Sequence, residues 1–172
     1  MDDLKFPGRG APWWRRWTRT VQAPVPSIDT LIEEVRLRHP HTPAASDVAI
    51  RRFETRTALV LPEDMRAFYR TFDGARLWDA AYVLVDPDAF LPLGVAVRAA
   101  TGIDPSIPDH WTWFARTRDG EENLGIRLGG PDLSQAEVAV WLPRSGRLQI
   151  VARGYSRFLH AALFASRRPY WR

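Results

Sequence analysis

The most legible pattern of apolar and polar positions lies between residues 46 and 74. Ile50, Phe53, Thr57 and Val60 recur at helical spacing behind Ser46, a residue suited to capping a helix N-terminus, and Leu61-Pro62 then interrupts the run. Pro62 fits the first turn of a second helix, where its missing N–H costs nothing, and Glu63 and Asp64 follow where the helix dipole favours negative charge. Met65, Phe68, Tyr69 and Phe72 give that helix a broad apolar face, and Asp73-Gly74 is expected to close it with a glycine in the left-handed conformation. Upstream, Ser27 opens a shorter predicted helix through Ile28, Leu31, Ile32, Val35 and Leu37, which ends before Pro40.

Beyond Gly74 the period falls to two. ARLWD (75–79) and YVLV (82–85) read as short strands, followed by the turn-former Asp86-Pro87-Asp88. Residues 89–97, AFLPLGVAV, fit either a strand or a short helix, and TGIDPSIPDH reads as a surface loop. Trp111, Trp113 and Ala115 alternate against Thr112, Phe114 and Arg116 in a strand, which a turn over Asp119 to Asn123 joins to Leu124–Leu128 in a hairpin. A second hairpin runs from Glu137–Leu142 through PRSG to Arg147–Ala152. A last helix is predicted from near Ser156 to Phe164. Helices, then strands, then a helix make an α+β domain, with helices packed on a mainly antiparallel sheet. The expected organisation is a Trp/Arg/Pro-rich extension over 1–26, one domain over 27–166, and a basic aromatic tail over 167–172.

A chain of 172 residues is long enough to bury a substantial core, and 45% hydrophobic with 26% charged residues is ordinary for a globular domain. The absence of cysteine removes disulfides, thiolate metal sites and cysteine nucleophiles. No apolar run reaches the roughly 20 residues of a membrane span, and the start MDDLKFPGRG lacks an apolar leader, so the expected location is the cytoplasm. The overall charge of +4 is unevenly spread. Residues 1–26 carry five bases against two acids, and residues 153–172 carry five arginines and no acid, which leaves residues 27–152 at −4. All the basic residues but Lys5 are arginine, a skew that fits GC-rich coding better than phosphate contacts, and the positive excess sits in the terminal segments while the middle is mildly acidic, so nucleic acid is not the expected partner.

Set in order, these pieces resemble the SUKH superfamily (Smi/Knr-type domains). Phe53-Glu54, Leu61-Pro62-Glu63-Asp64, Phe68-Tyr69 and Phe72-Asp73-Gly74 are similar to its opening, in which a helix leads through Leu-Pro to a helix ending in Asn-Gly; Asp73 stands in place of the asparagine. Trp113-Phe114-Ala115, Asp119-Gly120 and Asn123-Leu124-Gly125-Ile126 resemble the family's hairpin, and Ile150 to Leu159 resembles its ending. The likeness spans residues 50–164, although 86–110 match poorly and the family's acidic positions after the glycine are not reproduced. It implies a compact α+β binding module without catalytic residues. In bacteria such domains are typically immunity proteins that neutralise a toxin; a fungal relative is a cell-wall signalling scaffold.

Candidate chemistry is sparse. His39 and His41 read as exposed loop histidines, Asp109-His110 as a turn element, and His160 as a partly buried packing residue. Asp86 and Asp88 flank a proline and read as a turn rather than a cation site. Gly129-Gly130-Pro131 lacks the lysine and helix of a phosphate-binding loop, and no serine sits in a G-x-S-x-G setting. No catalytic residue, metal or cofactor is therefore expected. Trp111, Trp113 and Trp141 are expected in the core. The candidate partner-binding residues are Trp13, Trp14, Arg15, Arg16 and Trp17 in the extension, with Glu121 and Glu122 in the hairpin turn. The expected partner is a protein, foremost a cognate toxin bound and occluded; the alternative is a scaffold or adaptor that docks through its N-terminal extension.

Overall fold

The computed structural model describes residues 24–44, 47–79, 81–164 and 169–171. Ser27 caps helix α1 (Ile28–Arg38) by accepting from the Thr30 N–H, and the helix turns Leu31, Ile32 and Val35 inward. Strand β1 (His41–Pro43) follows. Helix α2 (Val48–Thr57) buries Ile50 and Phe53; its expected cap, Ser46, lies outside the described residues, and Asp47 stands at the cap position without a side-chain cap bond. The helix stops short of Val60. Ala58 adopts a left-handed φ of 57°, which leaves Val60 half-exposed and swings Leu61 into the core instead. Glu54 fastens this joint by accepting from the Leu61 N–H at 3.0 Å and from the Arg66 guanidinium at 2.7 Å.

Pro62 stands just ahead of helix α3 (Glu63–Thr71), which buries Met65, Phe68 and Tyr69. The glycine expected to close this helix does something else. Phe72, Asp73 and Gly74 belong to strand β2 (Phe72–Leu77), and Gly74 has no positive φ. A Cβ at Gly74 would lie 2.7 Å from the Leu84 carbonyl oxygen, so the glycine is required by the close approach of the neighbouring strand, not by a helix end.

The remaining strands are β3 (Tyr82–Leu84), β4 (Leu91–Pro92), β5 (Trp111–Thr117), β6 (Asn123–Arg127), β7 (Glu137–Leu142) and β8 (Arg147–Arg153). Every pairing is antiparallel in the order β1-β2-β3-β5-β6-β7-β8, and β4 also pairs with β5. The ambiguous segment after Asp88 is both things at once, since β4 leads directly into helix α4 (Leu93–Thr101). Helix α5 (Tyr155–Phe164) is the last element among the described residues. Asp64 ties α3 to it, its carboxylate accepting from the Ser156 N–H and hydroxyl, each at 2.8 Å.

Helices α1, α2, α3 and α5 share one core against one face of the sheet, centred on Phe53, Phe68, Phe114, Tyr155 and Phe158. On the opposite face α4 covers a smaller cluster of Leu93, Val97, Trp111, Ala139 and Trp141. Strand β5 is thereby buried on both faces and carries a bulge between Trp113 and Ala115, so the plain alternation expected of it does not hold. Trp111 and Trp141 are core residues as expected, but of this second layer, with Trp113 packed at its margin.

Candidate partner-binding surface

A cleft of about 690 Å³ opens where α2, the 3₁₀ turn Pro87–Ala89, β4 and β5 meet. Helix α2 supplies Phe53 and Arg56, β4 and the residue before it supply Leu91, Pro92 and Phe90, and β5 supplies Thr112 and Trp113. The turn that carries Asp88 forms because Asp86 accepts from the Asp88 N–H at 2.7 Å, as the Asp-Pro-Asp sequence predicts. Asp88 is then neutralised by Arg52 at 2.6 Å, and Arg56 donates to the Phe90 carbonyl at 2.9 Å.

Asp109 is different. It lines the cleft, is exposed, and makes no hydrogen bond or ion pair with the described residues. The buried indole N–H of Trp113, in the same wall, also lacks an acceptor among them. Aromatic and aliphatic walls beside an uncompensated carboxylate suit a partner side chain with an apolar stem and a cationic end. Asp109 has no bonded histidine or hydroxyl to work with, and no group of three or more metal-ligating side chains occurs among the described residues.

Trp13, Trp14, Arg15, Arg16 and Trp17 lie outside the described residues. Glu121 is exposed in the β5–β6 turn, whereas Glu122 is 7% exposed and accepts from the Trp171 indole N–H at 2.9 Å. The turn thus presents one glutamate outward and holds the other inward. His39 is not the exposed loop residue that its proline-bounded setting predicts. It is buried edge-on against Trp78, with ring centroids 5.0 Å apart, and its Nδ1 accepts from the Trp78 N–H. Burial holds its pKa below the ordinary 6.5 against the raising influence of Glu34. His160 packs on Phe164, and burial lowers its pKa also.

Apart from Leu59, Thr112 and Trp113, the cleft residues outside α2 come from the stretch 86–110, whose sequence pattern is weakest. The one signal is Asp109 itself, an acid beside a strand start with no lysine or arginine within four positions on either side. An α+β domain with an apolar cleft and one free carboxylate has the equipment of a binding domain. The chain belongs to the SMI1 / KNR4 family (SUKH-1), whose model matches residues 44–161, from just before α2 into α5. The family is generally non-catalytic and points to a protein partner. No curated protein matches the chain.

Proposed function

We propose that this protein is an immunity protein that neutralises a cognate bacterial toxin in the cytoplasm by binding and occluding it. The observation that supports this most is the cleft between α2, β4 and β5, in which Asp109 is unpaired within a segment, residues 27–152, whose net charge is −4. A toxin that acts on nucleic acid carries a basic active site, and an arginine or lysine from it would find a carboxylate and aromatic walls in this cleft. Glu121, exposed in the β5–β6 turn, and the Trp13–Trp17 cluster, outside the described residues, are further candidate contacts for the partner.

The test is co-expression with the toxin encoded beside this chain. Wild-type protein restores growth, and the pair Leu91→Asp with Asp109→Arg weakens toxin binding by about tenfold or more, because it reverses the charge and wets the wall of the cleft. Removing residues 1–23 leaves protection in place. Loss of protection on that truncation alone, with the cleft variant fully active, would favour an adaptor that docks through its extension.

A further inference from the structure

Most arginines among the described residues are paired. Arg36, Arg38, Arg51, Arg52, Arg66, Arg70, Arg98, Arg127 and Arg153 each face an acid, and Arg56 donates to a backbone carbonyl. Arg118, Arg144 and Arg147, in turns or at a strand start, depart from this, as do Arg76 and Arg116 within the sheet. Arg76 and Arg116 are both exposed, and neither side chain has a partner among the described residues. The sheet register brings them together: Arg76 is opposite Val83, and Val83 is opposite Arg116. Two strand spacings separate them, roughly 10 Å.

The same row continues through Asn123, Trp141 and Leu148. Asn123 and Trp141 are 2% and 6% exposed, and Asn123 Nδ2 and Trp141 Nε1 are buried without an acceptor. The row carries no acid, and its polar ends without partners are all donors. It lies on the face of the sheet that α4 covers only in part. Leu148 and Trp141 pack with the α4 cluster, whereas Val83 packs with neither core. The acids nearest in sequence, Asp79, Asp119, Glu121 and Glu122, stand in the turns. Asp119 is bound to Thr117 and to the Glu121 N–H, and Glu122 to Trp171.

We propose that this open half of the sheet face, Arg76–Val83–Arg116–Asn123, is a docking site for an acidic segment of a partner protein. The two exposed guanidiniums match carboxylates set along an extended chain, and Val83 offers an apolar contact between the charges. The chain's own ends are excluded by charge, since residues 1–26 carry five bases against two acids and residues 153–172 carry no acid. A nucleic acid is disfavoured as well. The row is short, no exposed aromatic ring lies on it, and a polyanion would meet the −4 of residues 27–152. This site goes beyond the cleft and its toxin, and it stands whether or not that partner is a toxin.

The test uses the full-length protein and a short fluorescent peptide alternating Glu and Ala, with its Gln-Ala counterpart and a labelled oligothymidylate as controls. The Glu-Ala peptide binds saturably and moves the Trp141 indole N–H resonance, and the Gln-Ala peptide does neither. Arg76→Glu with Arg116→Glu weakens peptide binding by about tenfold or more at low salt. Arg116→Lys loses less. Both side chains are exposed, so the thermal midpoint stays near that of the wild type. The proposal is overturned by absence of saturable Glu-Ala binding, by binding that survives the double reversal, or by oligothymidylate binding equally well through the same arginines. No toxin enters the assay, so its result is independent of the protection experiment.

Discussion

Single residues hold the junctions of this fold. Glu54 is the clearest case, because one carboxylate satisfies the Leu61 N–H and the Arg66 guanidinium where α2 gives way to α3. Glu54→Ala leaves the partly buried Leu61 N–H without its acceptor and Arg66 with only the longer contact to Glu63 at 3.6 Å, and should cost about 1–3 kcal/mol in urea unfolding. Glu54→Gln, which keeps an acceptor for Leu61, should cost less. His39 makes a prediction in pH. Its folded pKa is depressed, so below about 6.5 the unfolded chain takes up the proton first, and stability falls as pH drops from there towards the folded value. Above 6.5 the contribution is complete. His160 acts in the same direction, so His39→Gln should flatten the pH dependence of the thermal midpoint between pH 5 and 7 only in part. Neither role was legible in sequence, because a histidine before a proline says nothing of the Trp78 that folds over it.

At the scale of elements, two glycines fix how closely the layers meet. Gly74 faces the Leu84 carbonyl across β2 and β3, and Gly125 lies under Leu93 of α4, where a Cβ would come within 2.7 Å of Leu93 Cδ2. A backbone carbonyl cannot step aside, but a leucine methyl can rotate. Gly74→Ala should therefore cost more than Gly125→Ala within the usual range of about 1–3 kcal/mol for overpacking, as equilibrium denaturation would show. Much at this scale was readable beforehand. Ser27 caps α1, Asp86 closes its turn, and both hairpins pair as their turn residues predict, because each depends on neighbours a few residues apart. The end of α2 and the role of Gly74 were not. The first turns on a left-handed alanine, which sequence rarely signals, and the second on a strand that arrives ten residues later.

For the whole molecule, the decisive feature is that the sheet has a helix on each side. One layer, of α1, α2, α3 and α5, is large enough to hold the fold together; α4 alone on the other face is a smaller attachment held by Leu93 and Val97. Leu93→Ala should cost about 2–5 kcal/mol and, more tellingly, speed hydrogen exchange in α4 ahead of β5 and β6. If α4 amides exchange together with the strands, the second layer is part of the main cooperative unit. A single tyrosine shows how the sheet is shaped. The Tyr170 N–H donates to the Tyr82 hydroxyl and its own hydroxyl donates to the Val151 carbonyl, each at 3.1 Å, linking β3 to β8 across the three strands between them. Flat strands would set those partners about 19 Å apart, far beyond one side chain, so the sheet curls around α5.

The sequence alone determined most of the elements, the antiparallel α+β class and the family, since periodicity, caps and turn residues act over short stretches of chain; β1, the start of β2 and the step from β4 into α4 were not among them. The tertiary structure alone decided which surfaces are open. Arg76 and Arg116 are forty residues apart in sequence, and Asp109 lies far along the chain from Phe53, yet register and packing place the first pair on one row and the second pair in one cleft. Whether a charge finds its partner inside the molecule depends on neighbours that only the folded chain brings near. The charges left without one are what a binding protein has to offer.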